Sequence, residues 1–86
     1  MSHIHHKLKR QLPEFAGKID LLKKTDTHFA RLARRYSKTN RKIHRYESGA
    51  VIVSDFYLED LKKKRLYLLD IIRHILIHTD DQGRPK

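Results

Sequence analysis

Eighty-six residues without a cysteine leave room for one small domain, held by packing or association and not by disulfides or Cys-based zinc. Twenty Lys and Arg against ten Asp and Glu give a net charge of +10, which attracts polyanions over a Debye length of roughly 8 Å but carries no fold information. Met1-Ser2-His3-Ile4-His5-His6 lacks an apolar h-region, and Asp70, Arg73 and His74 interrupt the most apolar stretch, Leu66 to Ile77, so neither a signal peptide nor a membrane-spanning helix is expected. A cytoplasmic protein is the corresponding expectation.

The first element is a long helix over about 14–46. Phe15, Ile19, Leu22, Asp26, Phe29, Ala33, Tyr36, Asn40 and Ile43 alternate spacings of four and three, the seam of an antiparallel helix pair. Leu32 widens this seam, and Asp26 and Asn40 are polar interruptions suited to fixing register. Thr25-Asp26-Thr27, three poor helix formers in a row, loosens the helix locally. Gly49 ends it, because glycine adopts the left-handed conformation at a helix stop without penalty. The connector over 47–54 is too short for anything but an antiparallel return. Within it Val51-Ile52-Val53 reads as an extended segment folded against the hairpin end, and Ser54 or Asp55 caps the next helix.

The second helix covers about 55–78 and places Leu58, Leu61, Leu68, Leu69, Ile72, Ile75 and Leu76 on one face, with Tyr57 and Ile71 at its margin. At 100° per residue this arc spans roughly 160°, wider than a seam of two heptad positions. Leu66 and Ile77 lie further round. A lone hairpin leaves much of that face in water, so the sequence predicts an all-α coiled-coil hairpin, one domain over 1–86, that dimerises into a four-helix bundle. The expected self-association interface is Leu66, Leu69, Ile71, Ile72, Ile75 and Leu76. The termini, including Asp80 to Lys86, are expected to be flexible.

Arg65 falls inside the apolar arc, opposite Tyr36 and Asn40. It either bonds the Asn40 side-chain oxygen as a register device or packs its stem and snorkels to water. Between Asp26 and Glu47 the chain has no acid, while Arg31, Arg34, Arg35, Lys38, Arg41, Lys42 and Arg45 project opposite the seam. This stripe is a candidate polyanion site, and because it carries no aromatic residue it should bind backbone without regard to sequence. His3, His5 and His6 form a terminal cluster, and Asp70, His74 and His78 share a helix face. Neither group has the fixed third or fourth ligand a metal centre needs, and both read as surface histidines. Without a Cys nucleophile, a paired Ser-His-acid set or a Gly-rich phosphate loop, no enzyme, cofactor or small-molecule substrate is expected.

His28-Phe29-Ala30-Arg31-Leu32, Tyr36, Ile43-His44-Arg45, Glu47-Ser48-Gly49, Leu61-Lys62-Lys63-Lys64-Arg65-Leu66 and Asp70 resemble, in order and spacing, the YdcH-like family of small bacterial proteins. The resemblance covers roughly 19–76. It implies a helical hairpin in a bacterial cytoplasm and brings no catalytic residue or cofactor. Two departures stand out: Thr39-Asn40 replaces a usual Leu-Asp, and Leu69-Asp70-Ile71-Ile72 replaces a usual Lys-Asp-Glu-Ile. The functional expectations are a self-associating module that binds an unidentified protein, a nucleic-acid-binding accessory protein using the basic stripe, or attachment to an anionic membrane surface through that stripe and the apolar strip at Leu66 and Ile77.

Overall fold

The computed structural model describes residues 7–86, and the His3, His5 and His6 cluster lies outside them. Among the described residues the elements are helical: α1 (Leu8–Gln11), a 3-10 turn (Pro13–Phe15), α2 (Ala16–Thr25), α3 (Thr27–Glu47) and α4 (Asp55–Ile77). The all-α architecture and the antiparallel packing of the two long helices follow the apolar spacing. The single first helix expected over 14–46 is instead two helices that meet at Asp26. Asp26 is extended (φ −126°, ψ 107°), ending α2 and capping α3 through a carboxylate that accepts from the Phe29 backbone N–H at 3.1 Å. The run of three poor helix formers therefore produces a corner, and Asp26 acts on the backbone of its own chain instead of setting register across the seam.

At that corner α2 turns back along α3 and carries the N-terminal arm with it. Leu8 arrives beside Ala33, Ser37 and Asn40. Leu8, Leu12, Ile19 and Leu22 join Phe29, Leu32, Ala33, Tyr36, Leu68, Ile72 and Leu76 in one buried cluster, with Phe15, Leu69, Ile71 and Ile75 packed against it. The apolar face of α4 around Ile72 and Leu76 is thus covered from within the chain, while Leu66 and Ile77, further round, stay exposed. Ile72 and Leu76, expected at a dimer interface, are wholly buried in the chain's own core, and Leu69, Ile71 and Ile75 are half-buried against it. Of the six interface candidates Leu66 alone stays exposed, at 59%.

The end of α4 is closed by α2. Lys18, whose side chain is only 10% exposed, donates from Nζ to the carbonyl of Leu76 (3.0 Å), in the last turn of α4, and to that of Thr79 just beyond its end. Its ammonium also stands 5.4 Å from the centre of the Phe15 ring. The segment after Thr79, expected to be mobile, is folded. Lys86 N–H donates to His78 O at 2.9 Å, Thr79 and Pro85 form an isolated antiparallel bridge, and Asp80 Oδ1 accepts from the backbone N–H groups of Gln82 and Arg84 at 2.9 Å each. Those two bonds hold the Asp80 carboxyl below the usual carboxylate range. Gly83, at φ +83°, turns the hook back, and a Cβ there would come 3.3 Å from Leu21 Cδ2. The anchor is a glycine lying on leucine, which a search for apolar side chains in the tail overlooks.

At the opposite end the hairpin closes as expected. Ser48 follows α3, Gly49 takes φ +84°, and the Ser54 hydroxyl accepts from the Tyr57 N–H at 3.1 Å to cap α4. The shorter α2 does not extend this far. Ile52, expected to fold inward, is 94% exposed and Phe56 is 87% exposed, while Tyr57 leans on Tyr46 with ring centres 5.8 Å apart.

Candidate polyanion-binding face

In α3 the core residues Phe29, Leu32, Ala33, Tyr36, Thr39, Asn40 and Ile43 are all buried, which fixes the rotation of the helix. At 100° per residue the seven cations from Arg31 to Arg45 fall within an arc of about 120°, centred roughly opposite that core. The stripe predicted from the sequence is therefore one physical face, about 21 Å long at 1.5 Å per residue. Five of its members, Arg31, Arg34, Arg35, Lys38 and Arg41, line a single shallow depression.

No carboxylate among the described residues pairs with this face. Among the described residues the ion pairs are Lys9 with Asp20 (3.0 Å), Lys18 with Asp81 (3.9 Å), and Lys62 with Glu47 (2.9 Å) and Glu59 (3.6 Å). None of the seven stripe residues takes part. Lys9 lowers the Asp20 carboxyl by hydrogen bonding to it, and the bond to Glu47 raises the Lys62 ammonium, so the paired acids lie away from the stripe. The positive potential along α3 is left to solution.

The two residues read as a register pair do meet. Arg65 Nη1 donates to Asn40 Oδ1 at 2.9 Å, joining α4 to α3 in the middle of the hairpin. Asn40 is 2% exposed and its Nδ2 has no partner, leaving a buried donor unsatisfied. Turning the amide over would set Nδ2 against the guanidinium, donor against donor, so the observed orientation is the better one. Nearby Tyr36 is buried, and burial raises its phenol above the ordinary value even against the opposing charge of Arg65.

The histidines of α4 pair with each other: the His74 and His78 rings lie 4.2 Å apart. No group of three His, Cys, Asp or Glu residues able to hold a metal forms among the described residues, so Asp70 is not brought into a site with them. One feature of this face escaped the sequence. The basic face was read as lacking aromatics because only α3 was considered, yet α4 delivers Tyr67 to its edge, beside Arg35, Lys38, Lys42 and Lys64. The antiparallel pairing itself could have shown this, since Tyr67 lies as far beyond Arg65 as Lys38 lies before Asn40.

Fold and face together define a basic helical hairpin with an N-terminal arm folded over one end and one long side unmatched in charge. Residues 29–76 match the model of a family described as a protein of unknown function (DUF465). The match takes in α3 and α4 and more than half of the chain, and the protein belongs to that family. No curated protein and no solved structure matches it. No described helix is long and apolar enough to cross a membrane.

Proposed function

We infer that this is a small non-enzymatic, YdcH-like binding protein that acts in the cytoplasm by docking the outer face of α3 on the phosphate backbone of a nucleic acid. The observation that carries this reading is the stripe from Arg31 to Arg45, in which seven cations share one face and none pairs with a described carboxylate. A solubilising surface would be served equally well by cations interleaved with acids, as on Lys62 between Glu47 and Glu59. A continuous unmatched face, in contrast, repels itself in the free protein and is relieved by releasing counterions from a polyanion. Along its length of about 21 Å one strand of a duplex presents about six phosphates at 3.4 Å spacing, so the charges are commensurate. The test is a gel-shift series with RNA and DNA. Retarded complexes that vanish in an Arg34→Glu, Arg35→Glu, Lys38→Glu variant support the reading, and complexes indifferent to that variant contradict it.

Docking of another protein is a second reading, favoured by the tip of the hairpin. Ile52 and Phe56 project there almost fully into water, beyond the reach of α2. A nuclease-treated pull-down separates the two: a protein captured by the native chain and lost with Ile52→Ser, Phe56→Ser assigns the tip, whereas capture that nuclease abolishes assigns the stripe.

A further inference from the structure

Tyr67 is 67% exposed and stands in a groove whose charged lining residues are all cations. The Arg65–Asn40 bond fixes the register of the antiparallel pair, which puts Tyr67 level with Lys38. On α3, Arg35, Lys38 and Lys42 recur at spacings of three and four and so share one edge. On α4, Lys64 precedes Tyr67 by three residues and shares its face. Together these side chains rim an open groove of about 340 Å³ floored by Thr39, Leu61 and Leu68. No carboxylate lines it.

This arrangement has a ring where the fold does not need one. Tyr67 lies outside the buried cluster, at the rim of a groove whose floor includes the buried Leu61 and Leu68. A ring at the rim of a groove lined by ammonium and guanidinium groups suits a ligand that offers a flat π-face and a phosphate within the same repeating unit. A nucleotide in a single strand is such a ligand. A base inside a duplex keeps its faces stacked on its neighbours and has none to offer.

We propose, building on the phosphate-binding reading of the same helix, that Tyr67 is a base-stacking platform and that the preferred ligand is single-stranded nucleic acid. The phosphates run along Lys38, Lys42 and Lys64, and one base lies on the Tyr67 ring. Base–aromatic stacking tolerates any base, so the site selects strandedness and not sequence. Removing such a ring weakens binding by about 5- to 150-fold per stacked base, and an open groove of this kind belongs at the low end, about tenfold.

The experiment is fluorescence anisotropy at low salt with labelled oligothymidylate and oligouridylate, an abasic DNA strand of equal length, and a matched duplex, on the native chain, Tyr67→Phe and Tyr67→Ala. Helicity by circular dichroism accompanies each variant, and because Tyr67 is exposed the fold should be retained. The expected result has four parts. A base-bearing strand binds the native chain about tenfold more tightly than the abasic one, and also more tightly than the duplex. Tyr67→Ala lowers its affinity to the abasic level and leaves abasic binding unchanged. Tyr67→Phe, which keeps the ring, keeps the affinity. Oligothymidylate and oligouridylate both show this effect, since the stacking tolerates either base. Equal binding of base-bearing and abasic strands, or base-bearing binding indifferent to Tyr67→Ala, overturns the stacking role while leaving α3 as a backbone binder. If no strand binds, the abasic one included, the backbone reading itself fails and the platform with it.

Discussion

Asn40→Asp should stabilise this protein, although it places a carboxylate where 2% of the residue is exposed. The amide now uses Oδ1 to accept from Arg65 at 2.9 Å and leaves Nδ2 unpartnered. A carboxylate keeps the acceptor and the shape and removes the orphan donor, recovering about 1–3 kcal/mol. It also gains Coulomb attraction to the guanidinium, on the order of 4 kcal/mol at 4 Å and an effective dielectric of 20. Against these stands the desolvation of one carboxylate, several kcal/mol. Arg65 is already half-buried, so only one ion newly loses its water. The balance is a gain of about 1 to 2 kcal/mol, which for a domain of this size raises Tm by about 5 to 10 °C. Urea melts at neutral pH measure it. The folded pKa of the new carboxyl is held below its unfolded value of about 3.9, so the gain is present above that value and disappears as pH falls through the folded one. In an Arg65→Met background the same change should be destabilising, because the buried carboxylate then has no cation. A loss of stability at neutral pH in the native background, or the same effect in both backgrounds, would refute the assignment of Arg65 and Asn40 as a coupled pair.

Other consequences can be measured separately. Lys18→Met keeps the aliphatic packing but removes two charge-assisted bonds to the carbonyls at the end of α4, and should cost about 2 to 4 kcal/mol in urea melts. A loss below about 0.5 kcal/mol would show that water caps that end equally well. The Asp80 carboxyl is lowered from 3.8 by the Arg84 and Gln82 amides, so its support of the C-terminal hook is complete above that value and is lost as pH falls. The exchange protection of the Lys86 amide, relative to its intrinsic rate at each pH, should therefore be lost in acid before that of the core amides. Tyr36 is raised from 10.0 by burial, so the stability it contributes is present below that value and lost as pH rises through the folded one, with phenolate absorbance rising in step with loss of helicity. Sedimentation equilibrium at micromolar concentration should return the monomer mass, because α1 and α2 already cover the face of α4 that a second copy would have used. A dimer would have to form through Leu66 or the hairpin tip, and Leu66→Ser or Phe56→Ser would dissociate it.

The long helices could be read from the chain because their signals are local. Apolar spacing, a stop glycine and a serine cap each act within a turn or two of where they stand, and Gly49 and Ser54 do what such residues do at helix ends. The Arg65–Asn40 contact was readable as well, since a short loop fixes an antiparallel register. The fate of the α4 surplus could not be read in the same way. It depended on whether Asp26 loosened a helix or broke it, and three weak helix formers do not decide that until the arm they release finds a surface to cover. The surface was Ile72 and Leu76, and a face that seemed to want a partner chain found its cover upstream in its own. The C-terminal hook was missed for a different reason: its hold is backbone hydrogen bonding and a glycine lying on Leu21, which hydropathy does not record, although Asp80 and Gly83 are residues that favour such a turn. Tyr67 was missed because the basic face was assigned to one helix, while the groove belongs to two.

The unmatched charge of α3 is the central claim, and the salt dependence of nucleic-acid affinity tests it most directly. For a single strand, log K falls with log salt at a slope of about −0.7 per neutralised phosphate, so four to seven contacts along the stripe give a slope of about −3 to −5. Removing Arg35 and Lys38 together, each to Ala, should make that slope shallower by about 1.4. A slope near zero, or one that the double substitution leaves unchanged, would contradict phosphate binding by this face.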